Sequence, residues 1–196
     1  MSRIRLLVAA LLAVLASPIL APAQATRPKA AAKKDEPRNY LANPGAEKGR
    51  ADQADAWGAI VVPPDGKHRG TRAAQAQAAH SGKASLAGEV AGGDGFVQWV
   101  QQVKDVPRDT PLRLSGYIKS EGDVEAHIMI QAFGPDSGPP LAITGTEPLK
   151  GRHDWTLSRS DAITIPRDAK SVIVRLVLSG KGKAWFDDIA LTEDKP

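Results

Sequence analysis

From Phe96 to Leu191 apolar and polar positions alternate at a period of two, in one short segment after another. A period of two places successive side chains on opposite faces of a strand. In 112–119, Leu112, Leu114, Gly116 and Ile118 share one face, and Arg113, Ser115, Tyr117 and Lys119 the other. In 124–133, Val124, Ala126, Ile128, Ile130 and Ala132 turn to the core, leaving Glu125, His127, Met129, Gln131 and Phe133 outside. In 171–178, Val172, Val174, Leu176 and Leu178 are core positions, with Ile173, Arg175 and Val177 outward. Segment 96–103 has apolar residues at both parities, so Trp99 is assigned to neither face. "DWTLSRSDAITI" (154–165) supplies another strand or two.

The connections carry turn chemistry. "KDVPRDTP" reads as the loop between 96–103 and 112–119, and "SEGD" as a turn before 124–133. "SGKG" reads as a hairpin between 171–178 and 183–191, because glycine takes positive φ without steric cost. Only "TRAAQAQAAH" (71–80) leans toward helix by alanine content, and a strand or loop fits it equally well. Many short strands between Gly/Pro turns predict an all-β β-sandwich or jelly roll. If the three alternating segments share a sheet, its outer face gathers Tyr117, Lys119, His127, Gln131 and Arg175. Parity in 183–191 puts Trp185, Asp187, Ile189 and Leu191 on one side, so Asp187 is expected to point inward. An inward carboxylate is costly unless paired, hydrogen-bonded or metal-bound.

The start of the chain reads differently. Arg3 and Arg5, an apolar run from Leu6 to Ala16 and small residues ending "APAQA" fit a secretory signal peptide over 1–25. The apolar run is short for a membrane span, so no stable membrane anchor is expected after cleavage. Ala, Lys and Pro without periodicity over 26–38 read as a disordered linker. The domain is then 39–196, and its expected location is the periplasm or the medium.

The whole chain has a net charge of +4, but the excess sits in these leading segments. Residues 1–25 carry two basic side chains and no acid, and 26–38 carry five against two. The domain is left with 19 basic and 20 acidic side chains, which gives no basic face for nucleic acid. With no cysteine, disulfides, thiol catalysis and cysteine zinc sites are excluded. The four histidines form no i, i+4 pair and have no acidic partner at ligand spacing. His80-Ser81 has no nucleophile-elbow motif around it, and "SGKGK" lacks the full phosphate-loop spacing.

The ordered set "NYLANPGAE" (39–47), Trp57, "HSGKASL" (80–86), "WVQQV", "RLSGYIKSEG", "HDWT" and "IPRDAKSVIVRLVLSGKGKAWFDDIAL" resembles bacterial carbohydrate-binding modules of the CenC-like type. The resemblance implies the galactose-binding-like jelly roll. It also implies a structural calcium held by Glu47 and Asp187, with carbonyls from near Gly45 and from the "HSGK" turn. By the same resemblance "HSGK" is a turn leading into a strand and not a nucleophile. The implied ligand is a poly- or oligosaccharide on a sheet face, and the candidate residues are Tyr117, His127, Gln131 and Arg175. A secreted, non-catalytic glycan-binding module is therefore the leading expectation. The alternatives are an envelope or extracellular protein-interaction scaffold and a jelly-roll polysaccharide lyase. Tyr, His, Gln and Arg on one sheet would suit a lyase as proton carrier and uronate neutraliser.

Overall fold

The computed structural model describes residues 37–136 and 138–195. The expected leader (1–25) and all but the last two residues of the expected linker (26–38) lie outside them.

Eleven strands follow one another: β1 (Gly49–Arg50), β2 (Gln53–Ala54), β3 (Gly58–Val62), β4 (Arg69–Ala73), β5 (Ser85–Gln102), β6 (Pro111–Phe133), β7 (Ala142–Gly145), β8 (Leu149–Lys150), β9 (His153–Arg159), β10 (Ile163–Thr164) and β11 (Ser171–Glu193). One 3-10 turn, Ala76–Ala78, is the sole helical element among the described residues. The fold is the all-β jelly-roll sandwich that the alternation allowed and the resemblance implied.

Three strands are far longer than the usual five or six residues: β5 has 18, β6 has 23 and β11 has 23. Each runs through both layers. In the first layer, β4 pairs with the start of β5, which pairs with 181–186 of β11. The C-terminal half of β11 pairs with the first half of β6, and β9 and β10 pair with β6 on its other edge. In the second layer, β3 pairs with the end of β5, which pairs with 173–179 of β11. There β11 pairs with the second half of β6, and β7 and β8 complete that edge.

This corrects two turns. "SEGD" reverses nothing, and "SGKG" is no hairpin. Gly122 pairs with Gly182, Asp123 with Lys181 and Val124 with Gly180, so β6 and β11 stay bonded through the bend. Gly122 (φ 96°) and Gly180 (φ 92°) have the positive φ that a hairpin also demands. Here it serves a coiled corner between layers.

The inward residues of both layers form one core, with Leu114, Ile118, Ile128, Ile130, Leu176, Leu178 and Phe186 all buried. Full burial of such a side chain contributes about 2 kcal/mol. The layers approach closely where glycine makes room. A Cβ on Gly116 would lie 2.8 Å from Ile128 Cδ1, and one on Gly88 would lie 3.0 Å from Leu178 Cδ2. Trp99, left open by its parity, is buried and donates Nε1–H to the Ala87 carbonyl at 2.9 Å.

The "NYLANPGAE" segment ties the start of the domain to its end. Tyr40 N–H donates to the Leu191 carbonyl at 2.9 Å. The Asn39 side chain donates to the Ile189 carbonyl at 2.9 Å and accepts from Leu191 N–H at 3.0 Å. Trp57 Nε1–H donates to the Asn43 carbonyl at 3.0 Å, so the motif and its distant Trp form one structural clasp.

Candidate functional site

Asp187 does not point inward. The β6–β11 register pairs Asp187 with Tyr117 and next Ala190 with Ser115, so β11 carries one extra residue there. Asp188, at φ 49°, lies in this bulge. Trp185 and Asp187 therefore share the outward side with Tyr117, while Ile189 and Leu191 fall inward. A simple period of two hides this, because a bulge inverts the parity beyond it.

Asp187 is nonetheless fully buried, at 0% exposure, because the 80–84 turn lies over it. Its Oδ2 accepts His80 N–H at 2.7 Å and Ser81 N–H at 3.1 Å, and its Oδ1 accepts Asp188 N–H at 2.7 Å. Burial pushes its carboxyl up to about 6, against the opposing pull of these three N–H donors; the neighbouring Asp188 charge adds to the rise. Glu47 holds the same turn from the other side: its Oε1 accepts Lys83 N–H at 2.8 Å and Ala84 N–H at 3.0 Å. Gly82 is at φ 63° with Glu47 Oε1 where a Cβ would be, so no other residue fits without displacement.

Glu47 and Asp187 thus hold one turn by accepting N–H bonds, where the resemblance implied that they ligate a calcium ion, and the arrangement does not fit that ion. Calcium takes six to eight oxygens. These carboxylates face five backbone N–H groups, whose dipoles oppose a cation. Among the described residues no three acidic or histidine side chains form a metal-holding group. The carboxylates close the turn through N–H bonds.

Tyr117 lies on the outer face of the first layer, and its ring is already covered. The His80 imidazole stacks on it with centroids 3.5 Å apart and planes 14° from parallel. His80 Nδ1 is 2.8 Å from Asp188 Oδ2, and Trp155 meets the imidazole edge-on at 5.8 Å.

His127, Gln131 and Arg175 lie on the outer face of the second layer. The sequence-based grouping of Tyr117 with them is corrected: β6 crosses between layers after Tyr117, so the two outward faces point away from each other. Arg175 donates Nε–H to Gln131 Oε1 at 2.8 Å and Nη1–H to Gln98 Oε1 at 3.1 Å. Gln98 was not singled out from the sequence, since both parities of 96–103 contain apolar residues. Around this polar centre are Ile60, 42% exposed, and Ile143, 54% exposed, cross-strand partners of Gln98 and Gln131. His127 pairs with Val177. Its Nδ1 is enclosed without a hydrogen-bond partner, and burial lowers the imidazole pKa while the Glu125 charge opposes the shift. The result can present an amide–guanidinium row to hydroxyl or carboxylate groups, with aliphatic side chains beside it for apolar C–H faces.

No protein-family model matches the chain, and no curated protein sequence matches it. Solved structures do show likenesses. One is TmCBM61 in complex with β-1,4-galactotriose: TM-score 0.59, 17% identity, covering 80% of this chain and 99% of that one. Another is a family 16 carbohydrate-binding module: TM-score 0.57, 20% identity, covering 79% and 100%. A third is the CBM22-1 xylan-binding domain from Paenibacillus barcinonensis Xyn10C: TM-score 0.55, 15% identity, covering 78% and 92%. The enzymatically active domain of bacteriophage CBA120 tailspike protein 4 also matches, at TM-score 0.63 and 10% identity, but this chain spans only 21% of it. At these identities the likeness establishes the jelly-roll fold.

Proposed function

We propose that the chain is a carbohydrate-binding module that takes a poly- or oligosaccharide across the outer face of its second layer. The observation that carries this reading is the Gln98–Arg175–Gln131 row, already oriented by its own hydrogen bonds and flanked by exposed aliphatic side chains. Sugars present hydroxyls at the ring edge and C–H groups on the ring face, and the row and its flanks match that pattern. The fold shared with three binding modules supports the same reading. Export belongs to this reading through the leader-like residues 1–25, and action by binding alone through the likeness in fold to modules that bind sugars.

The second reading is a protein-interaction scaffold, favoured by the exposed Ile60, Val62, Leu141 and Ile143. The lyase reading loses its geometric basis, because Tyr117 and Arg175 occupy opposite layers.

A glycan array with wild type, Arg175→Ala and Gln131→Ala tests the proposal. Wild type should bind a defined glycan. Arg175→Ala should weaken it by about tenfold or more, since a hydrogen bond to a charged group contributes about 1.5–3 kcal/mol. Binding untouched by either substitution would move the site elsewhere, and no binding on a broad array would favour the scaffold.

A further inference from the structure

The first layer has a cleft of its own. It has a volume of about 440 Å³ and lies between the 73–78 segment and the outer side of β4, β5 and β11. Small-molecule clefts span roughly 300–1,000 Å³. Trp185 forms part of its wall. In the cross-strand row, Trp185 is next to Ala87 and Ala87 is next to Thr71, so small side chains leave one flank of the indole open. On its other side Trp185 neighbours Lys119, whose ammonium lies 5.9 Å from the ring centroid. The next row runs Arg69, Glu89, Lys183, and Glu121 continues it outside the cleft lining. Lys183 Nζ lies 3.4 Å from Glu89 Oε2. Arg72 also borders the cleft, but it pairs with the inward Leu86, and its guanidinium is turned to the carbonyls of Ala46 at 2.5 Å and Glu47 at 2.8 Å. The side chains that share the face of Trp185 therefore hold two cations, Arg69 and Lys183, and one carboxylate, Glu89.

We propose that this cleft is a second saccharide site, on the layer opposite Arg175, for a single acidic pyranose ring. An indole with an open flank stacks on the C–H face of a pyranose. The cationic excess at its edge suits a ring carboxylate, as in a uronic acid. The two ends of the slot differ, with alanines beside the ring and charge beyond it, so apolar face and carboxylate take separate places. The site uses none of the residues of the Arg175 face, and either site can fail alone.

The test uses the whole chain with trigalacturonate and with its carboxyl-reduced, neutral counterpart. Arg175→Ala removes the competing face. That variant should still bind trigalacturonate saturably, with a change in tryptophan fluorescence. The neutral trisaccharide should bind at least tenfold more weakly. Adding Trp185→Ala should abolish both the binding and the signal. Lys183→Glu, at an exposed position, serves as a second variant independent of the indole and should weaken trigalacturonate by tenfold or more. Arg175→Ala that has lost all binding, while wild type binds, would leave one site and overturn the second. Binding that survives both Trp185→Ala and Lys183→Glu would also overturn it. Equal binding of acidic and neutral trisaccharides would overturn the acidic class. No binding of any glycan by wild type would remove this site and the Arg175 face together.

Discussion

Asp187 is held between burial, which favours its neutral form, and three N–H donors, which favour its charge. The net result is a carboxyl raised from 3.8 to about 6. The unfolded chain releases this proton near pH 4, and the folded chain keeps it until about pH 6. The contribution of Asp187 to stability is therefore fully present below about pH 4 and is lost as pH rises through 6. The shift corresponds to about 3 kcal/mol. His127 acts in the opposite direction: its pKa is lowered, so its contribution is present above its ordinary value and is lost as pH falls through the folded one. The clean measurement is thus the difference between wild type and Asp187→Asn in denaturant melts from pH 3.5 to 7. The Asn variant should be flatter across pH 4–6 by the Asp187 slope, and parallel curves would show that Asp187 ionises normally. Because Glu47 and Asp187 already accept five N–H bonds, a strong chelator should leave the melting temperature unchanged. A fall on chelation, reversed by added calcium, would restore the ion that the family resemblance implied.

At the scale of elements, alternation located strands at 96–103, 112–119, 124–133, 154–165, 171–178 and 183–191 but not their extent, and it marked no strand at β3, β4 or β7. The inward and outward residues of 112–119, 124–133 and 171–178 match the burial pattern at every position but Val177, which is outward by parity and yet buried, because burial on one face imposes that period. Two features escaped. One is the bulge at Asp188, which a single extra residue creates with no compositional sign. The other is the corner at Gly122, Gly180 and Gly182. Glycine announces positive φ, and both a hairpin and a strand changing layers need it. The choice depends on the partner strand, a contact some sixty residues away in sequence. The corner is specific enough to test. A Cβ at Gly122 would come 2.5 Å from the Lys181 carbonyl oxygen and 2.9 Å from Gly182 Cα, both backbone atoms. Gly122→Ala should therefore cost more than the roughly 1–3 kcal/mol of an unfavourable φ alone. Gly66→Ala is the control, since it has a positive φ of 75° but nothing within 4 Å of its Cβ position. A chemical denaturation series should show Gly122→Ala well below Gly66→Ala, and equal losses would mean that the corner yields.

Across the whole molecule, the crossing of β5, β6 and β11 between layers decides what the surface can do. Tyr117 and His127 are both outward on β6, an even ten residues apart, so local parity puts them on one face. The corner between them turns their faces apart. One strand therefore equips two surfaces: an aromatic first layer with Tyr117, His80, Trp155 and Trp185, and a guanidinium–amide second layer centred on Arg175. Tyr117 then has a structural part. Its ring supports His80, whose backbone N–H is one of the donors to Asp187. Tyr117→Ala should uncover the 80–84 turn. We expect a lower melting temperature and faster amide exchange at His80 and Ser81, with unchanged affinity for any glycan bound at the Arg175 face. Arg175→Ala should do the reverse, weakening that glycan while leaving exchange in the turn as it was. If Tyr117→Ala weakens the same glycan as strongly as Arg175→Ala does, the two residues share one ligand after all. The separation of faces imposed by the corner would then fail as an account of binding.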